Sequence, residues 1–319
     1  MTAAQIEILH AGPQVSLQDQ GRFGLLRYGV PASGPMDRLA FAVANLAVGN
    51  PANTTAVEVS LGGLTVRCTQ GPCSFALAGG NFLAHIDEKP LPAWCVATLQ
   101  VGETLTIRAG RWGSWCYLAV AGVLSCNQWL GSTATHGPSG LGGGKLVTGG
   151  HLTIQNAETR PNRHGALTCP VSARPRNRIR VVLGPQDRFF SSATQHTFLT
   201  SRFTLSDAYD RMGVRLTGPQ LHPNAALDMP SEAICRGSIQ VAGDGVATVL
   251  LADHQTTGGY PKIATILSVD SDSFTQLRSR NTVTFEAITV HVAISAARTR
   301  NTARKAYLAK LLTSRKYND

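Results

Sequence analysis

Apolar residues in this chain occur mainly in short runs, and glycine, proline, asparagine or aspartate ends most of them. Residues 56–59, 105–108 and 115–120 are examples. The 32 glycines supply the turn residues that such a chain needs. Runs of this length and spacing are typical of β-barrels and β-sandwiches, and not of alternating strand–helix units. The pattern therefore predicts a mainly β fold.

Three segments depart from this pattern and predict helices. The first begins near Pro35 and Asp37, which suit a first helical turn, and ends at Gly49 after apolar residues at helical spacing. The second is expected to follow residues 184–187 and to run to about Thr197. The third is the C-terminal tail.

The domain organisation is indicated by residues 158–178, which contain three prolines, several arginines and no periodic pattern. Such a segment is typical of a linker, and 319 residues are enough for two domains. We therefore expect an N-terminal β domain over residues 1–165, a C-terminal β domain over residues 166–292 and a basic helical tail over residues 293–319.

The cysteines and the N-terminus bear on the cellular compartment. The seven cysteines are odd in number and form no C-x-x-C pair, which favours free thiols in a reducing cytosol and disfavours a metal site. The N-terminus has no basic segment followed by an apolar stretch, and no apolar run is long enough to span a membrane. The chain is expected to be cytoplasmic, without a membrane or metal partner.

The net charge of +10 is concentrated in the tail and in four arginines within residues 174–180. Aromatic residues make up only 6% of the chain, and no nucleic-acid recognition motif accompanies the charge. A solvated tail and a basic linker are therefore expected, and nucleic acid is not an expected partner. The glycine-rich residues 137–146 also fail the phosphate-loop template, because Ser139 and Leu146 stand at two of its defining positions.

Three polar clusters remain as candidate sites, at residues 18–22, 206–216 and 253–262. The last reads D-H-Q-T-T-G-G-Y-P-K between two apolar, β-branched runs, which predicts the tip of a β-hairpin. Arginine forks suit carboxylate or phosphate oxygens, aspartates suit a base, and adjacent glycines let a ligand approach the backbone.

These clusters belong to a longer series of motifs. In order they are Q-D-x-G-R-x-G, G-V-P-x-S-G-x-M-D, A-N-x-x-V-G-N, D-R-M-G-x-R-L, G-x-I-Q-V and D-x-Q-T-T-G-G-Y-P, between about residues 6 and 286. The series resembles the family of the 5-oxoprolinase C subunit, which is also called allophanate hydrolase subunit 2, Kip-type antagonist or biotin-dependent carboxyltransferase-like. The chain departs from the family's usual P-G-D and G-D turns at residues 278–281 and 150–151.

The resemblance implies two cyclophilin-like β-barrel domains. It also implies the C subunit of a bacterial ATP-dependent 5-oxoprolinase, which opens the lactam of 5-oxo-L-proline to L-glutamate together with the A and B subunits. The chain alone would then be inactive and bind no cofactor, and ATP would act in the complex. One alternative is a carboxyltransferase subunit that takes carboxybiotin from a partner and acts on urea or a similar amide. Another is a regulatory antagonist that binds a kinase inhibitor.

The resemblance, together with the side-chain chemistry of the matching motifs, implies a cleft between the two barrels. Asp37 has the alternative role of a helix end, and Arg211 and Arg215 have the alternative of buried structural ion pairs. The predicted catalytic residues are Asp253, Lys262 and Asp19. The predicted substrate-binding residues are Gln18, Arg22, Asp37, Arg211, Arg215, Gln240, Gln255, Thr256, Thr257, Gly258, Gly259, Tyr260 and Pro261.

Overall fold

The computed structural model of the protein describes residues 3–224 and 229–313. The chain forms two compact units, each built from separated segments of sequence. The predicted limits 1–165, 166–292 and 293–319 stay predictions about which parts fold independently. The first unit comprises Met1–Arg22, Asp37–Arg174 and Ala303–Asp319, and the second comprises Phe23–Met36 and Pro175–Thr302.

The first unit contains two antiparallel β-sheets. In chain order its strands are β1 Ala3–Ala11, β2 Ser16–Gln18, β3 Ala56–Ser60, β4 Leu64–Gln70, β5 Cys73–Gly79, β6 Leu83–Ile86, β7 Lys89–Leu91, β8 Cys95–Leu99, β9 Thr104–Arg108, β10 Trp115–Val120, β11 Val123–Leu124, β12 His151–Gln155 and β13 Gly165–Ala166. One sheet has seven strands in the order β11-β12-β1-β4-β9-β6-β7, and the other has six in the order β13-β8-β5-β10-β3-β2.

The core of this unit lies on both faces of the six-stranded sheet. Strands β5 and β10 are buried along their whole length, so alternate residues must pack in opposite directions. Phe75 and Leu118 join Ile6 and other apolar residues of the seven-stranded sheet in one cluster. The small side chains of Ala76 and Ala119 pack in a second cluster with helix α1, Arg38–Val48.

Helix α1 begins and ends where the sequence predicts. Asp37 is its N-cap, and its Oδ1 accepts a hydrogen bond of 2.9 Å from the backbone N–H of Ala40. Gly49 ends the helix with φ of +93°, a conformation that glycine adopts without a steric penalty. The predicted first helix is confirmed.

The second unit is built around a closed barrel. Its strands are β14 Arg178–Leu183, β15 Phe203–Tyr209, β16 Gly213–Thr217, β17 Glu232–Ala233, β18 Ser238–Val241, β19 Ala247–Leu250, β20 Thr257–Gly258, β21 Lys262–Ile266 and β22 Thr282–Ala287. Seven of them close in the order β14-β21-β18-β19-β16-β15-β22, and β14 and β22 pair in parallel. Strands β17 and β20 form a separate two-stranded sheet. The predicted mainly β fold is confirmed.

The predicted hairpin around residues 253–262 is wrong. Its two apolar runs correspond to β19 and β21, which do not pair with each other. Strand β18 lies between them, and its Gln240 is in register with Thr248 on one side and with Lys262 on the other. Residues 251–261 therefore connect two strands across a third.

The remaining helices are α2 Ser192–Thr200, α3 Ser268–Thr275 and α4 Val290–Thr313. The second predicted helix starts later than expected. A 3₁₀ turn, Asp187–Phe189, comes first, and α2 begins after Ser191, whose Oγ accepts from Thr194 N–H at 3.0 Å. The helical C-terminal tail is confirmed by α4 as far as residue 313, and residues 314–319 of the predicted tail lie outside the described part of the chain. Within the described part of the chain, every helix is too short or too polar to cross a membrane.

Candidate functional site

Lys262 opens strand β21 with a side chain that is only 2% exposed. Its Nζ makes no hydrogen bond with the described residues and lies 3.6 Å from Glu232 Oε2. A lysine ammonium carries three N–H donors, and a buried one is normally hydrogen-bonded because burial without partners costs free energy. The geometry of Lys262 thus suits the binding of an oxygen atom that carries negative charge.

Gln186 connects Lys262 to its counter-ion. Its Oε1 accepts a hydrogen bond of 3.1 Å from the backbone N–H of Lys262, and its Nε2 donates to Glu232 Oε2. The amide is buried and therefore held in one position. Neither Gln186 nor Glu232 is among the residues predicted from the sequence, in which Gln186 reads only as part of a helix start.

Gln240 faces Lys262 across the β18–β21 pair. Its Oε1 accepts from Gln255 Nε2 at 3.3 Å. At Gly258 a Cβ would lie 2.6 Å from Gln240 Nε2, so a larger residue would displace the amide. We call Gln186, Glu232, Gln240, Gln255, Gly258 and Lys262 the Lys262 cluster. The structure thus brings together four residues that the sequence predicts and two that it does not.

Other predicted residues in the connection formed by residues 251–261 bond to neighbouring segments through their backbones. The backbone carbonyl of Thr256 accepts from Ile234 N–H at 3.1 Å, and Thr257 pairs with Ala233 in the two-stranded sheet. The carbonyl of Pro261 accepts from Val241 N–H at 3.0 Å. The two other predicted residues here, Gly259 and Tyr260, lie between Gly258 and Pro261, and the Tyr260 ring is exposed.

Arg211 and Asp253 form a buried ion pair. Arg211 Nε and Nη2 each lie 2.9 Å from one carboxylate oxygen of Asp253, and Nη2 also donates to the Gly34 carbonyl at 2.7 Å. A bidentate pair of this kind is strong and geometrically specific. The structural ion pair considered for Arg211 is therefore present, and the catalytic role of Asp253 stays a prediction.

His254 follows Asp253 and is also buried. Its Nδ1 lies 2.6 Å from the Gln255 carbonyl oxygen, so Nδ1 carries the proton and Nε2 is the acceptor of the neutral ring. Burial has the largest effect on the pKa of His254 and lowers it. In decreasing order of size, the Gln255 carbonyl then raises that pKa, Arg236 lowers it and Asp253 raises it, and the net shift is downward. Sequence reasoning missed His254, which occupies the variable position of its motif.

Arg215 belongs neither to the Lys262 cluster nor to the Arg211–Asp253 ion pair. It lies on β16 between the buried Val214 and Leu216, and its own side chain is exposed. Since side chains alternate along a strand, Arg215 points away from the barrel interior. The structure therefore contradicts the alternative of a buried ion pair for Arg215, and its role in substrate binding stays a prediction.

In the first unit, the predicted residues Asp19 and Arg22 organise one loop. Asp19 Oδ1 accepts from Gly21 N–H at 2.8 Å and from Ser132 Oγ at 2.6 Å, and Oδ2 accepts from Thr133 N–H at 2.9 Å. The Arg22 guanidinium lies over the Trp129 ring at 4.7 Å, and Arg22 also donates to the carbonyls of residues 129 and 134. Both side chains thus hold residues 129–134 in place.

Gln18 and Asp37 are likewise bonded within the first unit. The buried Gln18 donates to Ser16 Oγ at 2.9 Å and to the Thr135 carbonyl at 3.1 Å. Asp37 caps α1, and its backbone N–H donates to the hydroxyl of Tyr117 at 2.8 Å. That hydroxyl donates to Glu58 Oε2 at 2.7 Å. Burial, and then the two carboxylates, raise the pKa of Tyr117 well above its usual value.

The predicted roles of these first-unit residues in catalysis and binding stay predictions, as does the cleft between the two barrels. No group of three or more His, Cys, Asp or Glu side chains that could hold a metal ion occurs in residues 3–224 and 229–313. The arrangement with the clearest chemical consequence is the Lys262 cluster. It places a buried cation, a carboxylate and three amides close together.

Comparison with known proteins gives a consistent result. Residues 28–287 match the family model described as carboxyltransferase domain, subdomain A and B. The chain is 34% identical over 291 residues to the C subunit of 5-oxoprolinase from Haemophilus influenzae, with coverage of 90% of this chain and 93% of that protein. It is 33% identical over 294 residues to the C subunit of 5-oxoprolinase from Escherichia coli, with coverage of 91% and 94%.

The fold is also found in a solved structure. The crystal structure of Kluyveromyces lactis urea carboxylase superposes with a TM-score of 0.83 at 23% identity, over 96% of this chain and 29% of that one. The family model spans most of the chain, and the two relatives match it over nearly their whole length. The chain therefore belongs to the carboxyltransferase domain family, among the relatives of the 5-oxoprolinase C subunit.

Proposed function

We propose that the chain is the C subunit of an ATP-dependent 5-oxoprolinase and that, with the A and B subunits, it opens the lactam of 5-oxo-L-proline to L-glutamate. The near full-length similarity to two proteins of that name supports the proposal. The observation that carries it is the buried Lys262 ammonium, whose N–H donors make no hydrogen bond with the described residues.

The chemistry of ring opening fits this cation. Adding water across the lactam C–N bond places negative charge on the carbonyl oxygen, and a preorganised donor in a dry site lowers the barrier by stabilising that charge. Lys262 is the proposed donor. Gln186 accepts from the backbone N–H of Lys262 and donates to Glu232, which is the counter-ion of Lys262. Gln240 and Gln255 are amides that suit the substrate N–H and carboxylate.

The function is tested by reconstitution. We expect the pure chain to be inactive, and the three subunits together to hydrolyse ATP only when 5-oxo-L-proline is present. Glutamate release is measured alongside phosphate release, so that uncoupled ATP hydrolysis is recognised. Failure of three pure, associated subunits to release glutamate would refute the proposal.

The role of Lys262 is tested by Lys262→Met, which keeps an unbranched buried side chain but removes the charge. Loss of one such donor typically lowers kcat about 100- to 1,000-fold, and we expect a loss of that size in the complex. Lys89→Met, at an exposed position on β7, is the matched control and should retain full activity. A Lys262→Met complex with normal turnover would exclude this role.

A carboxyltransferase is the second candidate, and the description of the matched family favours it. In that case a biotinylated partner would bring the carboxyl group, and Lys262 would bind a carboxylate oxygen during transfer to urea or a similar amide. The measurement is transfer of labelled bicarbonate to urea when a biotin carrier and its carboxylase are supplied. Transfer without any 5-oxo-L-proline-dependent glutamate release would favour this candidate over the first.

A further inference from the structure

One cavity of the second unit joins two sequence features that the proposed function does not use. Its volume is about 650 Å³, and it is lined by residues 175–178 and by Leu277, Asn281 and Thr282. The first segment belongs to the arginine-rich run of residues 174–180. The second surrounds residues 278–281, which read Arg-Ser-Arg-Asn where the family usually has a P-G-D turn. We call this space the arginine cavity.

The arginine cavity carries positive charge without a carboxylate of its own. Arg176 and Arg178 line it, and none of its described lining residues is acidic. The exposed Arg176 makes no hydrogen bond or ion pair with the described residues. Arg178 Nε lies 3.0 Å from Glu286 Oε2, but the Arg178 side chain is 71% exposed, and such a pair contributes little free energy. The cavity therefore keeps a guanidinium that the described residues do not neutralise.

Uncharged donors accompany the two arginines. Asn281 Oδ1 accepts from the Arg278 backbone N–H at 2.9 Å, which fixes the amide and leaves its Nδ2 hydrogens to donate. The side chains of Thr282 and Asn177 are exposed and make no hydrogen bond with the described residues. Guanidinium forks together with N–H and O–H donors suit the oxygens of an anion.

Arg280, which precedes the lining residue Asn281, has a backbone conformation that costs free energy. Its φ is +68°, in the left-handed region that glycine adopts without a steric penalty. Its side chain is 84% exposed, and its Nη2 lies 3.6 Å from Oδ2 of Asp207, which is also exposed. An exposed pair of this length contributes little to stability. Stability of the fold therefore does not explain an arginine here, whereas binding of an anion does.

The lining residues also indicate which anion fits. Phosphates are usually bound by backbone N–H groups of glycine-rich turns or helix N-termini, and nucleic acid bases stack on aromatic rings. Among the described residues, none that lines the cavity is a glycine or an aromatic residue, and α3 ends before Leu277. Pro175 and Leu277 instead add apolar surface, and the two asparagine amides suit a peptide backbone. These features favour the carboxylates of a polypeptide.

We propose that the arginine cavity is a docking site for an acidic segment of a partner subunit. Carboxylates of that segment bind Arg176 and Arg178, and Arg280 attracts it from the neighbouring turn. The inference rests on the proposed function, under which the partner is the A or the B subunit. Charge complementarity of this kind raises the rate and the specificity of association.

The test measures binding of the labelled chain to the A subunit, to the B subunit and to both, by analytical ultracentrifugation at low and high salt. Arg176→Glu should weaken binding about 10-fold or more at low salt, because it places like charges together. The difference should shrink at high salt, since mobile ions screen exposed charges.

Arg280→Gly separates docking from stability. The urea midpoint of the free chain should stay close to the wild type, because relief of the left-handed backbone offsets the greater freedom of glycine in the unfolded chain. Binding should still weaken about threefold. A purely structural role would instead lower the midpoint and leave binding unchanged, which would remove Arg280 from the site.

Arg111→Glu is the matched control, with the same change in charge at an exposed position of the first unit that has no partner among the described residues. It should leave binding unchanged, and equal weakening by Arg111→Glu and Arg176→Glu overturns the docking site. So does a wild-type chain that binds neither subunit. A complex that releases glutamate and binds Arg176→Glu normally overturns this inference and leaves the proposed function standing.

A second measurement identifies the chemistry of the occupant. An oligoglutamate peptide and an oligothymidylate of equal net charge compete with the partner for the labelled chain. Competition by the peptide, lost in Arg176→Glu, supports docking of an acidic segment even when the assembled complex releases no glutamate and the proposed function fails. Stronger competition by the oligothymidylate, lost in the same variant, would identify a nucleic-acid site and overturn the proposal.

Discussion

Asp253 is a residue whose contacts make a strong prediction about stability. Both of its oxygens accept from the buried Arg211. Asp253→Ala leaves that guanidinium without its counter-ion, which typically costs about 3–5 kcal/mol. We expect a loss of this size in urea unfolding of the free chain. Asp207→Ala, which removes an exposed pair to Arg280, is the control and should shift the midpoint little. Equal shifts for both variants would contradict the buried pair.

Sequence reasoning at this scale located part of the Lys262 cluster. The motif of residues 253–262 supplied Gln255, Gly258 and Lys262, and the separate motif G-x-I-Q-V supplied Gln240. The structure then pairs Gln240 with Lys262. Glu232 was not predictable, since it reaches Lys262 only through pairing of two-residue strands far apart in sequence. The exposure of Arg215 was predictable, because apolar residues flank it in the alternating pattern of a strand.

Helix α1 allows the two interpretations of Asp37 to be separated. Asp37→Ala removes the cap and should destabilise the free chain by about 1 kcal/mol, measured by urea unfolding. Asp37→Asn keeps an equally good cap and should change stability much less. Normal turnover of the Asp37→Asn complex would assign Asp37 to the helix end alone. A stable but inactive complex would instead support the predicted contact with substrate.

Elements with local signals were predicted well, and those fixed by long-range pairing were not. The cap, the apolar spacing and Gly49 defined α1 before any tertiary contact was considered. The hairpin failed because insertion of β18 between β19 and β21 is a property of barrel closure. Helix α3 was missed because V-D-S-D-S-F reads as polar without a helical period, and its buried Phe274 became visible only in the fold.

At the scale of the whole molecule, both ends of the chain contribute to the first unit. Strand β1 occupies the middle of the seven-stranded sheet, and the last part of α4 packs in the cluster around α1. Tyr307 on α4 donates to the Thr168 carbonyl at 2.6 Å, and burial raises the pKa of its hydroxyl to about 12. The part of the tail that carries Tyr307, Leu308 and Leu311 therefore packs in a core and is not solvated as expected.

The role of the tail is tested by two adjacent leucines of α4. Leu311 is 7% exposed and packs in the cluster around α1, whereas Leu312 is 43% exposed. Leu311→Ala should lower the free energy of unfolding by about 2 kcal/mol or more, because it removes buried methyl groups and leaves a cavity. Leu312→Ala, with the same change in composition and helix propensity, should have little effect. Urea unfolding measures both, and equal effects would mean that the end of α4 does not stabilise the first unit. A clear difference would show that this basic helix is held in the first unit by the apolar contacts around Leu311.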